Sequence, residues 1–210
     1  MMKVMMVNGS PHAKGNTFLA LDEMRRIFEQ DGITVEMVHI GNKAIRGCIA
    51  CGSCAAKKKC VFDDLVNETA DIFAQSDGIV IGSPVYYASA NGTLISYLDR
   101  LFFSTQMGQC FDKTMKVGAS VVIARRGGLS ATFDELNKYF TMNNMPVASS
   151  QYWNSAHGRE PGEVLKDGEG MQTMRTLARN MVFLMKSIAL GKEKYGLPEK
   201  EAWIPTHFIR

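Results

Sequence analysis

The sequence predicts an α/β fold, a three-layer doubly wound sandwich with a five-stranded parallel sheet, on two observations. Short apolar runs rich in Val, Ile and Met alternate along the chain with segments of helical periodicity. The 210 residues fit one domain, and neither an internal repeat nor a linker divides them. Strands that alternate with helices form parallel sheets with right-handed crossovers, and ligands bind at the carboxyl ends of their strands.

The elements follow from the local pattern in chain order. Residues 3–7 form a mainly apolar run, as in a strand buried on both faces. In 17–30, apolar residues recur at three- and four-residue steps, and Asp31-Gly32 ends the helix. Residues 33–40 alternate between apolar and polar, which indicates a second strand. By the same criteria the remaining strands are 77–82, 115–124 and 145–150, and the remaining helices are 63–75, 91–104, 130–142 and 171–190.

Composition and charge exclude several classes of protein. Hydrophobic residues make up 46% of the chain and charged residues 21%, which excludes disorder. The net charge of +3 indicates neither a nucleic-acid-binding nor a membrane-surface protein. The first nine residues turn polar too early for a signal peptide, and no apolar run approaches the roughly 18 residues of a membrane span. We therefore expect a soluble cytoplasmic protein, in which clustered cysteines hold metal or do redox chemistry rather than form disulfides.

The loop 8–17, between the first strand and the first helix, has the features of an anion site. It is small, rich in polar side chains, and leads into a helix N-terminus. A P-loop would have Lys after its second glycine, but Gly15 is followed by Asn16, and a dinucleotide fingerprint would have glycine where Pro11 stands. The remaining interpretation is a site for one phosphomonoester, and the alternative is an ordinary capped turn. The side-chain donors would be Ser10, His12, Asn16 and Thr17.

Three loops together resemble those of one superfamily. They are Gly9-Ser10-Pro11-x-x-x-Gly15-Asn16-Thr17, then Gly82-Ser83-Pro84-Val85-Tyr86-Tyr87 with Asp99-Arg100 downstream, and then Ala124-Arg125-Arg126-Gly127-Gly128. In this order they resemble the NADPH-dependent FMN reductase and flavodoxin-like superfamily over essentially the whole chain. The resemblance implies a flavodoxin-like sheet with strand order 2-1-3-4-5, an FMN-binding domain at 1–190 with a cysteine loop at 47–60, and a C-terminal tail at 191–210. Leu94 departs from the pattern, because many relatives have Lys there.

The resemblance assigns the parts of an FMN site to these loops: the phosphate to 10–17, the isoalloxazine ring to 84–87, and its carbonyl edge to 124–128. Tyr86 and Tyr87 would pack against the ring, or against neighbouring strands or helices. Arg125 and Arg126 would place positive charge near flavin N1/O2 and raise its two-electron potential, or lie in a solvated turn. No hydrolase motif is present, and no side chain is expected to be catalytic, because the flavin carries the chemistry. The expected FMN-binding residues are Ser10, Pro11, His12, Lys14, Gly15, Asn16, Thr17, Pro84, Val85, Tyr86, Tyr87, Ala124, Arg125, Arg126, Gly127 and Gly128.

Four of the five cysteines follow the pattern Cys48-x2-Cys51-x2-Cys54-x5-Cys60. Thiolates three residues apart can wrap one compact [4Fe–4S] cluster. Zinc sites more often use two C-x2-C pairs separated by a longer stretch, and free or redox-active thiols are a third possibility. The motif resembles that of the iron–sulfur flavoproteins, a branch of the same superfamily with FMN and a [4Fe–4S] cluster. Cys110 stands apart and is expected to pack as a small hydrophobe.

The resemblance implies an FMN-containing oxidoreductase that takes electrons from NAD(P)H or a ferredoxin-like carrier. With a cluster, it would split the two electrons of the flavin into single steps. Without one, it would pass them to quinones, azo or nitro compounds, or free flavin. Other possibilities are a redox-sensing module and a flavodoxin carrier, although flavodoxins are typically strongly acidic and this chain carries +3. Relatives assemble as dimers or tetramers, so we expect a homodimer or homotetramer, in which Trp203 and Phe208 of the tail could either reach a neighbour or cover the sheet of their own chain.

Overall fold

The computed structural model describes residues 1–202, 204 and 206. Its strands are β1 (Lys3–Asn8), β2 (Thr34–His39), β3 (Gly78–Tyr86), β4 (Ser89–Ala90), β5 (Val117–Ala124) and β6 (Ser155–His157). Its helices are α1 (Asn16–Gln30), α2 (Ser53–Lys57), α3 (Leu65–Gln75), α4 (Gly92–Met107), α5 (Leu129–Thr141) and α6 (Gly168–Tyr195), and Glu163–Lys166 forms a 3₁₀ helix. All the predicted helices are present, with ends that differ by a few residues from the prediction.

The sheet has the predicted flavodoxin-like order. Five strands run parallel in the order β2-β1-β3-β5-β6, and β4 pairs antiparallel with the end of β3 outside this path. Numbered along the chain without β4, this order is 2-1-3-4-5. The order reverses between β1 and β3, where the register aligns Asn8 with Gly82 at the carboxyl end of β1. A ligand site is expected outside the strand ends at this switch point.

Both faces of the sheet are covered, which explains the apolar run of β1. Val4 and Met6 belong to one core cluster with α1 and α6, whereas Met5 and Val7 belong to a second cluster with α3, α4 and α5. All four side chains are fully buried. Because side chains alternate across a strand, a strand between two helical layers needs apolar residues at successive positions.

The sequence prediction is wrong about the position of the fifth parallel strand. Residues 145–150 make one bridge to the sheet, at Gly118. Pro146 has no N–H, so it cannot extend the ladder towards the N-terminal side of that bridge. Beyond the bridge the chain turns from the sheet to α6, where Asn180 Nδ2 donates a hydrogen bond to Ser149 O at 2.8 Å. The edge of the sheet is completed by β6, a short strand that pairs with the end of β5. The sequence of β6 contains no apolar run that would predict a strand.

The structure differs from the prediction at two further places. The cysteine segment, expected to be a loop throughout, contains α2. The last helix continues to Tyr195, so the predicted boundary between residues 190 and 191 lies inside α6. Trp203 and Phe208, the tail residues expected to reach a neighbouring subunit, lie outside the described residues. Within the described part of the chain, no helix combines the length and the apolar character that a membrane crossing requires.

Candidate functional site

A cleft of about 620 Å³ brings together all three predicted loops, which follow β1, lie at the end of β3 and follow β5. Of the predicted residues, it is lined by Ser10, Pro11, His12, Lys14, Gly15, Asn16, Thr17, Pro84, Val85, Tyr86, Ala124 and Arg125. The other predicted residues, Tyr87, Arg126, Gly127 and Gly128, are not part of its wall. The wall also includes residues that the sequence did not indicate: Ala13, Ile123, Gly158, Arg159 and Pro161.

The first turn of α1 forms one part of the cleft wall. Its N-cap residue is Gly15, which has no side chain to accept the exposed N–H groups, and no acidic residue lies in the first turn. The N–H groups at a helix N-terminus carry partial positive charge and attract anions. Lys14, Arg125 and Arg159 add formal positive charges, and none of the described lining residues is acidic. These groups fit a phosphate.

Asn8 and His39 hold the phosphate-side loop from behind, and sequence reasoning did not identify either of them. The buried Asn8 side chain accepts a hydrogen bond from Ser10 N at 3.1 Å and donates to Ala13 O at 3.4 Å. His39 Nε2, at the end of β2, lies 2.9 Å from Ser10 O and donates to it. The hydroxyl of Ser10 accepts from His12 N at 3.1 Å. A signal was present, because Asn8 is a polar residue that directly ends a buried strand.

Leu94, the departure from the superfamily pattern, covers the junction between β1 and β3. It is fully buried and packs against Gly9, whose N–H donates to Gly82 O at 2.8 Å. A Cβ on Gly9 would lie 2.4 Å from Leu94 Cδ2 and 2.9 Å from Gly82 O, so this position has no room for a side chain. Leu94 therefore has a packing role here.

Asn16 joins the phosphate-side loop to the segment that follows β6. Its side-chain Nδ2 donates to Glu160 O at 3.0 Å, and its Oδ1 accepts from Gly162 N at 3.0 Å and Val164 N at 3.3 Å. These bonds occupy the Asn16 side chain, so its backbone N–H is the main group that Asn16 can offer to the cleft. They also bring Arg159 into the wall. This part of the site was missed because the preceding strand was predicted in the wrong place.

A tight hairpin between β3 and β4 presents the two predicted tyrosines. Tyr87 and Ala88 have φ of 51° and 60°, so both central residues adopt the left-handed conformation that a two-residue hairpin of this type requires. Tyr86 is 44% exposed and Tyr87 fully exposed, so neither ring packs in the core. The Glu135 carboxylate accepts from Ser89 Oγ at 2.9 and 3.0 Å and from Ala90 N at 2.7 Å, and so ties the hairpin to α5.

The four clustered cysteines line one pocket, separate from the cleft and without a shared lining residue. Cys54, on α2, is buried; Cys60 is half-buried; and Cys48 and Cys51 are exposed. Burial raises the pKa of the Cys54 thiol, and a hydrogen bond with Ser53 lowers the pKa of the Cys51 thiol. The rest of the wall is mostly apolar and includes the hydrophobic residues Ile49, Val61, Phe62 and Phe103. Among the described residues, no three His, Cys, Asp or Glu side chains lie so that they could ligate one single metal ion.

The half-buried Asn67 and the buried Arg100 hold the C-terminal end of the cysteine loop. The Asn67 amide accepts from Cys60 N and donates to Cys60 O, both at 3.0 Å, and also donates to Phe62 O at 2.9 Å. Arg100 donates from Nε and Nη2 to Cys60 Sγ at 3.3 and 3.2 Å. These contacts fix the position of the Cys60 sulfur in the pocket wall.

Cys110 does not pack as a small hydrophobe, and that expectation is wrong. Its side chain is exposed, and Sγ donates to Lys58 O at 3.0 Å. Lys58 follows α2 in the left-handed conformation, with φ of 54°. The thiol therefore satisfies a carbonyl just beyond the C-terminus of α2.

A family model described as NADPH-dependent FMN reductase matches residues 2–160. The chain belongs to this family. It is 30% identical over 194 residues to an iron–sulfur flavoprotein of Methanocaldococcus jannaschii, with 89% of this chain and 99% of the relative covered. The residues that the family model matches include the cysteine loop, 47–60.

Solved structures share the fold at low sequence identity. RosB, determined with bound 8-demethyl-8-formylriboflavin-5'-phosphate, superimposes with a TM-score of 0.67 at 14% identity, over 100% of this chain and 94% of RosB. An NAD(P)H:quinone oxidoreductase from Methanothermobacter marburgensis superimposes with a TM-score of 0.62 at 13% identity, over 86% of this chain and 96% of that protein. A flavodoxin from the domain Archaea superimposes with a TM-score of 0.54 at 12% identity, over 87% of this chain and 99% of that protein, and this likeness confirms the flavodoxin-like architecture that the strand order indicates.

Proposed function

We propose that this protein is an FMN-dependent oxidoreductase that transfers electrons between NAD(P)H or a ferredoxin-like carrier and a second acceptor. The observation that carries the proposal is the cleft at the strand ends, in which the uncapped N-terminus of α1 lies beside Lys14 and Arg125. Membership of the FMN reductase family supports FMN as the ligand of this cleft.

Each part of FMN has a matching set of groups in the cleft. The backbone N–H groups at the N-terminus of α1 and the Ser10 hydroxyl would bind the phosphate. The hairpin would place Tyr86 beside the isoalloxazine ring. The aromatic face of Tyr86 would pack against that ring, and its hydroxyl would hydrogen-bond at the polar rim of the site. Arg125 would lie near the pyrimidine edge, where positive charge favours the reduced flavin. FMN, when bound, supplies the hydride and electron chemistry, and these residues bind and orient it.

We further propose that Cys48, Cys51, Cys54 and Cys60 hold a [4Fe–4S] cluster. Their common pocket, its largely apolar wall and the N–H donors at Cys60 Sγ fit a group of this kind, and the cysteine spacing suits a single compact cluster. The nearly full-length relative named an iron–sulfur flavoprotein supports the same assignment. A cluster supplies single-electron steps, which would connect the flavin to a one-electron carrier.

A second candidate is an NAD(P)H-dependent reductase of quinones, azo or nitro compounds, or FMN, without a cluster. It is favoured by the separation of the two sites, because no residue lines both the cleft and the cysteine pocket. The cleft therefore contains its binding groups without any contribution from the cysteines.

One anaerobic preparation separates these functions. FMN bound per chain, iron, acid-labile sulfide and the visible spectrum are measured on the purified protein, before and after reconstitution with FMN, iron and sulfide. Failure to take up FMN would refute both candidates. FMN with stoichiometric iron and sulfide supports the first candidate, whereas FMN without a cluster supports the second. NADPH or NADH is then added anaerobically to identify the electron donor. Bleaching of the flavin by either nucleotide indicates an NAD(P)H-dependent reductase. If neither nucleotide bleaches the flavin but reduced ferredoxin does, the enzyme takes its electrons from a carrier.

A further inference from the structure

Arg100, on α4, is a buried charged residue that the flavin cleft does not use. Its side chain is 1% exposed, and it forms a two-pronged ion pair with Asp64, at 2.7 Å from Nη1 and 2.9 Å from Nη2. A buried guanidinium requires a partner of opposite charge, and Asp64 provides it. Because the ion pair uses only one edge of the planar guanidinium, the other edge remains available for a second role.

That second edge faces the cysteine pocket. Nε and Nη2 donate to Cys60 Sγ at 3.3 and 3.2 Å, and Arg100 itself lines the pocket. A neutral thiol is a weak hydrogen-bond acceptor, whereas a thiolate that ligates a metal carries negative charge and accepts strongly. Two donors from one cation, aimed at one cysteine sulfur, therefore suit a sulfur that is a metal ligand better than a free thiol.

The same guanidinium joins the two ends of the cysteine loop. Nη1 donates to Arg46 O at 3.3 Å, before the first cysteine, and Nη2 donates to Phe62 O at 3.4 Å, after the last one. Arg100 thus holds the ends of the loop together from α4, whose apolar residues are buried in a core cluster of the domain.

The surroundings of the four sulfurs are unequal. The hydrogen-bond donor at Cys48 Sγ is the neutral N–H of Ala50, at a longer distance of 3.5 Å. Cys60 receives donors that carry a formal positive charge. Hydrogen bonds and positive charge at ligating sulfurs stabilise the reduced, more negative state of an iron–sulfur cluster, and raise its reduction potential.

We propose that Arg100 is a positioning residue of the cysteine loop, which holds the Cys60 sulfur and raises the reduction potential of the cluster bound there. The proposal rests on the cluster part of the proposed function. Arg100 acts on the cluster through Cys60, and Asp64 limits that action because its carboxylate neutralises part of the guanidinium charge.

The test compares the cluster midpoint potential, measured by EPR-monitored anaerobic reduction, in the reconstituted holoprotein and three variants. Arg100→Gln removes the charge and the N–H···S pair, so its potential falls below that of the unmodified protein. Asp64→Asn removes the opposing carboxylate and keeps a residue that can cap α3 at this position, so its potential rises. Arg46→Gln is the matched control, because the Arg46 guanidinium also lies 4.9 Å from the Phe62 ring centre but is solvent-exposed. Its potential stays close to that of the unmodified protein.

Opposite shifts in Arg100→Gln and Asp64→Asn support the proposal, since a purely structural role would change cluster loading without opposite shifts in potential. If Arg100→Gln fails to fold or load, the outcome is decided by Asp64→Asn: a raised potential supports the proposal, and an unchanged or lowered one overturns it. A shift in Arg46→Gln equal to that in Arg100→Gln also overturns it. If the unmodified protein takes up FMN but no cluster, the cluster assignment itself is refuted. If the cluster loads but its midpoint potential is the same in Arg100→Gln as in the unmodified protein, only the proposed role of Arg100 is refuted.

Discussion

The phosphate-side loop 10–17 and the cysteine loop 47–60 are held by different kinds of interaction. In the former, backbone N–H groups at a helix N-terminus provide the positive charge, and Asn8 and His39 hold the loop from behind. In the latter, the thiols would be the binding groups of the proposed cluster, and Arg100 and Asn67 hold the ends of the loop. Backbone groups survive most side-chain changes, whereas a thiol ligand does not. Single substitutions should therefore affect the cysteine loop more than the cleft.

The largest effect is expected for Cys54→Ala. Cys54 is the buried cysteine of the four, and its loss would remove one of the four ligands of the proposed cluster, so bound iron falls by about tenfold or more. FMN content stays unchanged, because no cysteine lines the cleft. Iron, sulfide and FMN per chain are measured after anaerobic purification. Cys110→Ala is the matched control and retains its iron. Full iron in Cys54→Ala would contradict the assignment.

The next largest effect is expected for Asn8→Ala, which tests the support behind the cleft. The substitution leaves Ser10 N without its buried acceptor, so FMN binds about 10- to 100-fold more weakly. The dissociation constant is measured by quenching of flavin fluorescence. Asn143→Ala, which removes one hydrogen bond to Tyr139 O, is the control and binds FMN normally. Equal affinities in the two variants would show that backbone groups alone maintain the loop.

A smaller effect is expected for Glu135→Gln, which tests whether the hairpin needs its tie to α5. The amide keeps one acceptor for Ser89 or Ala90 but loses the charge, so FMN affinity falls about 3- to 10-fold. The same fluorescence assay measures it. Glu68→Gln, on the exposed surface of α3, is the matched control. An unchanged affinity in Glu135→Gln would mean that the hairpin maintains its conformation without the carboxylate.

The smallest effect is expected for Arg125→Gln. Its side chain is exposed, so solvent screens its charge, and the flavin two-electron potential falls by only about 10–20 mV. Spectroelectrochemistry at low and high ionic strength measures this, and the shift shrinks with added salt. Arg126→Gln, whose residue is not part of the cleft wall, is the control. If the flavin potential shifts more in Arg126→Gln than in Arg125→Gln, Arg126 rather than Arg125 is the residue whose charge acts on the flavin.

Much of the fold and the outline of the cleft could be predicted from local patterns. The apolar run of β1 predicts a strand between two helical layers, and three short motifs predict three loops that the structure brings to one cleft. The edge strand could not be predicted, because β6 is three residues long and owes its place to pairing with β5 rather than to hydrophobicity. Arg159 and Pro161 were missed with it.

The sequence by itself determined the alternation of strands and helices, the three loops that carry the family resemblance and the spacing of the four cysteines, because these depend on periodicity, turn residues and positions along the chain. The strand order followed from the resemblance, and the structure confirms it. Only the tertiary structure decided which residues hold those groups in place. Glu135 is an ordinary polar residue in the sequence, and Arg100 is part of a motif that does not reveal its partner; their roles arise from hydrogen bonds to distant segments. A buried polar group must find a partner, and the partner is chosen by the folded arrangement of strands and helices rather than by neighbours in the chain.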